Sequence, residues 1–188
     1  MKEPIRLGII LFIITSVCVG LTGLVYEGTK AKIANQNEIT KQEAMKSIIK
    51  DADTFVPVED IDTTKVQEVY IAKDEGKNIG YIAKIVQQGY GGVIELMVGV
   101  DKELTIVGVQ ILSHSETPGL GANIIKDTFL TQFIEKRAPL KVVKGTASGN
   151  DVVAISGATI SSTAVTSGIN EALSYIQQNQ NVIMNGGQ

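Results

Sequence analysis

The residues best suited to chemistry stand together near the end of the chain: Ser156, Gly157, Ala158, Thr159, Ile160, Ser161 and Ser162, directly after Asp151, Val152, Val153, Ala154 and Ile155. Two small residues flanked by hydroxyls sit where an extended segment gives way to a run of helical apolar spacing. Such a corner bares backbone N–H groups and one or two hydroxyls to a ligand. A helix N-terminus favours anions, because its first N–H groups lack partners and the dipole is positive there. The chemistry this suggests is a phosphate held, or covalently attached, at Thr159. The plainer alternative is a capped helix, since Ser and Thr are ordinary N-caps and Gly-Ala suits any tight strand-to-helix corner.

A second loop, residues 113–121, reads Ser-His-Ser-Glu-Thr-Pro-Gly-Leu-Gly. Glu116 and Thr117 offer polar atoms, and Leu120 offers cover for an apolar ring face. The same residues also make a Pro-Gly turn with a solvated glutamate. Both loops precede segments of expected helix. His114 is the only histidine, and beside Ser and Glu its ordinary role is hydrogen bonding rather than catalysis. A Ser/His/Asp hydrolase drawn from Ser156, His114 and Asp151 lacks the Gly-x-Ser-x-Gly elbow. One cysteine and one histidine exclude a zinc ribbon or finger built on this chain alone. No catalytic acid, base or metal ligand is therefore expected. Lys141 and Lys144 read as a solvated face before they read as phosphate ligands. A net charge of −3 does not indicate a nucleic-acid surface.

The elements that must position these loops follow a membrane span. Residues 7–26 carry no charge; at 1.5 Å per residue they cover about 30 Å, the thickness of a bilayer core. The stretch is longer than a signal-peptide h-region and no clear small-x-small cleavage site follows it, so an uncleaved anchor is expected. Lys2 and Arg6 before the span balance Lys30 and Lys32 after it, so charge does not set orientation. Residues 27–57 read as a polar helix and linker whose apolar edge (Met45, Ile48, Ile49, Ala52) packs on the following domain, with Pro57 closing it. Period-two runs then follow: residues 66–73, then Ile79, Tyr81, Ala83 and Ile85, then Ile94, Leu96, Val98 and Val100, then Val107, Val109 and Ile111 facing one way. Turns separate them at 74–77, 89–92 and 101–103. This is an antiparallel meander packed on one face. Ile125, Phe129 and Phe133 predict an amphipathic helix ending near Pro139. Residues 140–143 and 151–155 predict short strands, and Val165, Ile169 and Leu173, with Ala172 and Ile176, mark the core stripe of a last helix. The fold class expected is α+β, an antiparallel sheet meander with packed helices behind a single N-terminal transmembrane helix. The expected segments are a cytoplasmic tail (1–6), the span (7–26), the linker (27–57), a soluble domain (58–178) and a polar, frayed tail (179–188).

Several stretches together carry a family resemblance: Gly-Tyr-Gly-Gly at 89–92, Leu-Met-Val-Gly-Val-Asp at 96–101, His-Ser-Glu-Thr-Pro-Gly-Leu-Gly at 114–121 and Ser-Gly-Ala-Thr-Ile-Ser-Ser at 156–162. In this order behind one span, the chain resembles the G subunit of the Rnf complex, an ion-translocating ferredoxin:NAD oxidoreductase. It is similarly related to the C subunit of the sodium-translocating NADH:quinone reductase, a longer chain. The resemblance implies an electron-transfer subunit whose FMN is joined through its phosphate to the threonine of the Ser-Gly-Ala-Thr motif, Thr159. It implies non-covalent contacts among Glu116, Thr117, Leu120, Gly121, Ser156, Gly157, Ala158 and Ser161. It further implies the other membrane subunits as partners, and a flavin transferase that takes the FMN group from FAD with a magnesium ion. The expected location is the inner or plasma membrane, single-pass, with the soluble domain extracytoplasmic. A membrane-tethered, non-redox module for a loosely held anion is the alternative of another class.

Overall fold

A computed structural model of the chain describes residues 2–59 and 66–186. It divides into two units, Met1–Lys41 and Gln42–Gln188. The first unit belongs to one helix, α1 (Lys2–Ile48), which continues into the second. In it the apolar side chains stand exposed, among them Leu11, Phe12, Val19 and Leu24. By length and composition this helix is able to cross a membrane. Thr15, Thr22 and Thr29 turn their hydroxyls back onto the carbonyls of Leu11, Cys18 and Val25. A hydroxyl bonded in that way brings no unmet polar group to an apolar environment.

The second unit is an α+β domain built on one antiparallel sheet. Its strands are β1 (Thr54–Pro57), β2 (Glu68–Asp74), β3 (Lys77–Gln88), β4 (Val93–Asp101) and β5 (Ile106–His114), in sequence order across the sheet. The meander from β2 to β5 has the alternation its sequence predicts: Tyr81, Ala83 and Ile85 on β3 and Ile94, Leu96, Val98 and Val100 on β4 enter one core. Three features differ from expectation. Residues 54–57 are an edge strand paired with β2, not the end of a linker. A proline is tolerated there because an edge position needs no donor. The sheet is covered on both faces rather than one: the apolar edge expected to pack on the domain does so, with Ala44, Met45, Ile48 and Ile49, at and just past the end of α1, on Tyr70, Ala72, Ile82 and Met97. Finally, Val107 does not share a face with Val109 and Ile111. Gly99 pairs with Gly108 and Val100 with Ile106, so Val107 is the extra residue of a bulge and lies 39% exposed.

Beyond the sheet, a 3₁₀ turn (Gly121–Ile125), α2 (Asp127–Leu130) and a second 3₁₀ turn (Thr131–Phe133) replace the single amphipathic helix expected from Ile125, Phe129 and Phe133. Lys126 is extended, with φ −76° and ψ 141°, which breaks the run and leaves Ile125 exposed. Phe129 and Phe133 are buried and meet edge to face at 5.3 Å. The helix also stops early because residues 135 and 136 exchange backbone hydrogen bonds with Ile106 of β5, and Glu135 turns the chain there with φ +63°. β6 (Lys141–Val143) and β7 (Asp151–Val153) pair in parallel as a separate small sheet. α3 (Thr159–Gly186) closes the core. The tail expected to fray from 179 is helical to Gly186, with Ile183 buried against the core.

Three contacts fix α3. Gly168 lies close against β3, where an added Cβ would come 2.8 Å from Gln87 Cγ. Gln87 Nε2 donates to Glu171 at 2.6 Å. Asn170 exchanges two hydrogen bonds with the backbone of Leu140, at 2.8 and 3.0 Å, as a strand neighbour would.

Candidate functional site

The corner between β7 and α3 is a strand-to-helix turn. Gly157 takes φ +75°, a conformation that glycine enters without a Cβ penalty. Ala158 N–H donates to Ile155 O at 2.9 Å. Ser162, one turn into the helix, holds the corner from inside: its Oγ accepts from Ile155 N–H at 3.0 Å and donates to Ala158 O at 2.9 Å. The first helical backbone bond here is Ser162 N–H to Ala158 O. The N–H groups of Thr159, Ile160 and Ser161 therefore precede the helical ladder, and they find no acceptor among the described residues. The helix they open is 28 residues long, so its full dipole stands behind them.

The second loop comes to the same place. Glu116 is 5% exposed, and both carboxylate oxygens are engaged. Oε1 accepts from Gly91 N–H at 3.1 Å, and Oε2 accepts from Ser161 Oγ at 2.7 Å. Glu116 N–H donates to His114 Nδ1 at 3.2 Å. The carboxylate is enclosed by residues without side chains. A Cβ on Gly89 would stand 2.1 Å from Oε1, and one on Gly121 would stand 2.2 Å from Oε2. The Gly-Tyr-Gly-Gly turn is thus glycine-rich for a steric reason: it wraps a buried carboxylate.

Between the two loops lies a cavity of about 420 Å³, lined by Tyr90, Glu116, Thr117, Leu120, Gly121 and residues 157–161. That is within the usual size of small-molecule and cofactor sites. Of the expected site residues, Thr159, Glu116, Thr117, Leu120, Gly121, Gly157, Ala158 and Ser161 all line it. Ser156 is exposed and is not among the lining residues. Ser161 is fully buried and bonded to Glu116, which makes it a strut of the wall. Two further lining residues are not among those expected from the sequence. Tyr90, 72% exposed, and Ile160, 55% exposed, form with Leu120 an apolar rim. The signal for Tyr90 is a lone aromatic inside a glycine turn. The signal for Ile160 is an apolar residue off the core stripe of α3.

Neither Lys141 nor Lys144 lines the cavity; both are exposed. No Lys or Arg is among the lining residues, so an anion there would meet backbone N–H groups rather than a cation. The hydrolase arrangement does not assemble either. Among the described residues no hydrogen bond joins Ser156, His114 and Asp151; the Asp151 carboxylate accepts from Ser148 instead. No cluster of three potential metal-ligating side chains occurs among the described residues.

Known proteins resemble the chain along most of its length. Residues 89–174, which contain both loops, match the FMN-binding domain family, and residues 1–48 match the RnfG N-terminal region. The chain is 38% identical to the G subunit of the proton-translocating ferredoxin:NAD(+) oxidoreductase complex of Clostridium ljungdahlii, over 81% of this chain and 80% of that one. It is 36% identical to the G subunit of the ion-translocating oxidoreductase complex of Methanosarcina acetivorans, over 93% and 95%. Among solved structures it shares its fold with the C subunit of the Na(+)-translocating NADH-quinone reductase from Parabacteroides distasonis. That likeness has a TM-score of 0.60 and 22% identity, over 81% of this chain and 96% of that one. Shewanella oneidensis NqrC gives a TM-score of 0.56, also at 22% identity, over 73% and 74%. With identity above 30% along most of both chains, this protein belongs to the family of G subunits of Rnf-type ion-translocating oxidoreductase complexes.

Proposed function

We propose that the chain carries FMN as a phosphoester on Thr159 and passes electrons within a membrane complex that couples ferredoxin:NAD electron flow to ion translocation. The observation that supports this most directly is the position of Thr159. It is the first residue of a long helix, beside three N–H groups with no acceptor among the described residues, and it lines the cavity between the two loops.

The residues fit the group. Thr159 supplies the ester oxygen, and the N–H groups of residues 159–161 donate to the phosphate oxygens, a favourable place for negative charge. Gly157 and Ala158 keep the approach to that oxygen narrow but open. The apolar rim of Tyr90, Leu120 and Ile160 suits a flat ring, and Thr117 offers a polar contact at its edge. Bound FMN supplies the electron transfer; the protein retains it, positions it and sets its surroundings. No acid or base from the chain is needed for that task. Glu116 serves by holding the walls together, since both of its oxygens are engaged by the protein.

Attachment requires a separate flavin transferase acting on FAD, and the cavity mouth at Thr159 is where it would work. The domain carrying the flavin is assigned to the extracytoplasmic side, anchored by residues 7–26. The G subunits reach 36–38% identity against 22% for the quinone-reductase C subunits, which favours the Rnf reading. The deciding experiment is a denaturing gel under ultraviolet light. The full chain made with the transferase should give a fluorescent band that Thr159→Ala abolishes. A chain whose flavin dialyses away after unfolding would instead be a non-covalent binding module.

A further inference from the structure

A second cavity, of about 970 Å³, shares no lining residue with the flavin cavity. Three parts of the second unit form it: the end of α1 with the residues after it (Ser47 to Asp51), the sheet at Asp74, Ile79, Val100, Asp101 and residues 107–110 of β5, and α2 with the turn that follows. Its walls include Ile48, Ile49, Ile79, Val107, Leu130 and Ile134. The charged residues lining it are Asp51, Asp74, Asp101 and Asp127 against Lys50 alone. Among the described residues none of these aspartates has an ion-pair partner. Four carboxylates around an apolar groove leave a local field that favours a cation.

The groove also runs along a free edge. Residues 107–110 line it without a gap, whereas a groove over one face of a strand would touch alternate residues. β5 is the last strand of the sheet. Its outer edge is bonded at Ile106 to residues 135 and 136, and beyond that point it has no backbone partner among the described residues. An unpaired edge is a template for an added strand.

We propose that this groove docks an extended basic segment of another subunit of the complex. The segment lies along β5, sets apolar side chains between Ile48 and Leu130, and pairs its Lys or Arg side chains with Asp51 and Asp127. This docking rests on complex membership and is independent of the flavin. The charge balance selects a basic segment over an acidic or neutral one, and the free edge selects an extended one.

The test places a photo-crosslinking amino acid at Val107 of the full chain in the intact membrane complex, with the crosslinked peptide identified by mass spectrometry. The expected product joins Val107 to a segment of another subunit in which Lys or Arg flanks apolar residues. Asp51→Asn and Asp127→Asn should each lower the yield by about two- to fivefold, the range of an exposed ion pair, and added salt should lower it too. Both side chains are exposed, so the variants keep the fold. An adduct to a second copy, to lipid only, or to an acidic segment overturns the proposal, as does an unchanged yield in the variants. No adduct from a chain that co-purifies with its complex also overturns it. A chain that co-purifies with no other subunit overturns both this proposal and complex membership, while flavin fluorescence reports separately on Thr159.

Discussion

Ser161 Oγ donates to Glu116 Oε2 at 2.7 Å, joining residues 45 positions apart in the chain. The other oxygen of the same carboxylate takes Gly91 N–H. One buried side chain thus ties the 89–92 turn, the 113–121 loop and the first turn of α3 into a single wall around the cavity that Thr159 lines.

Removing that side chain should loosen all three segments at once. Glu116→Ala leaves the Ser161 hydroxyl and Gly91 N–H without acceptors, each at a cost of about 1–3 kcal/mol. The detergent-solubilised chain should melt several degrees lower and take up less flavin. Glu116→Gln keeps an acceptor of the same shape and should lose less on both counts. Equal losses in the two variants would show that the carboxylate does not act as a clamp.

Gly121→Ala should damage the same wall from the opposite side. The new Cβ would stand 2.2 Å from Glu116 Oε2 and 2.7 Å from Ser161 Oγ, so the bond between them must part or shift. Overpacking of this kind costs about 1–3 kcal/mol. The expected result is a lower melting temperature together with slower flavin attachment, followed by gel fluorescence against time. An exposed glycine with open space around it, Gly76, already takes φ +76°; Gly76→Asn there should leave attachment unchanged.

Thr159→Ala should abolish covalent flavin while leaving the fold intact, because the corner is held by Ser162 and by Ala158 N–H, not by the Thr159 hydroxyl. Far-ultraviolet circular dichroism and the melting temperature of the flavin-free chain should match those of wild type made without transferase. Ser162→Ala is the counterpart. It should keep some flavin but lower stability by about 1 kcal/mol, since the Ile155 N–H loses its acceptor.

The end of α1 and the sheet fit tightly enough to be tested by compensation. A Cβ on Gly99 would lie 2.1 Å from Ile48 Cγ2, so Gly99→Ala alone should destabilise. Ile48→Ala alone should cost about 2–5 kcal/mol as a cavity. In the double variant the new methyl occupies part of the space that Ile48 leaves, and the combined loss should be less than the sum of the separate ones. Denaturant unfolding of the four chains measures that coupling, and strict additivity would mean the two residues do not touch.

The meander was legible because period-two alternation is a local signal: each strand from β2 to β5 carries its own apolar face. The candidate site was legible for a related reason. Glycines, hydroxyls and an acid in two short loops can be read without knowing how far apart they lie. Less legible were features whose cause lies elsewhere in the chain. Residues 54–57 carry no strand pattern of their own and become a strand by pairing with β2. The helix predicted from Ile125, Phe129 and Phe133 breaks because Ile106 takes the backbone groups of residues 135 and 136, where Glu135 turns the chain with φ +63°. Val107 leaves its expected face because a bulge inserts one residue.

The sequence by itself determined the long apolar N-terminal helix, the α+β meander and the two loops, with Thr159 at the helix entrance. All of these follow from runs, periods and residue types within one short window. The tertiary structure alone decided that Glu116 is a clamp rather than a free ligand, that Ser156 stands outside the cavity, and that Tyr90 and Ile160 form its rim. It also brought four aspartates to the lining of the cavity that residues 107–110 of β5 help to form. The physical reason is the same in each case. Burial and hydrogen-bond partners belong to pairs of residues far apart in the chain, and only packing of the whole core sets which pairs meet.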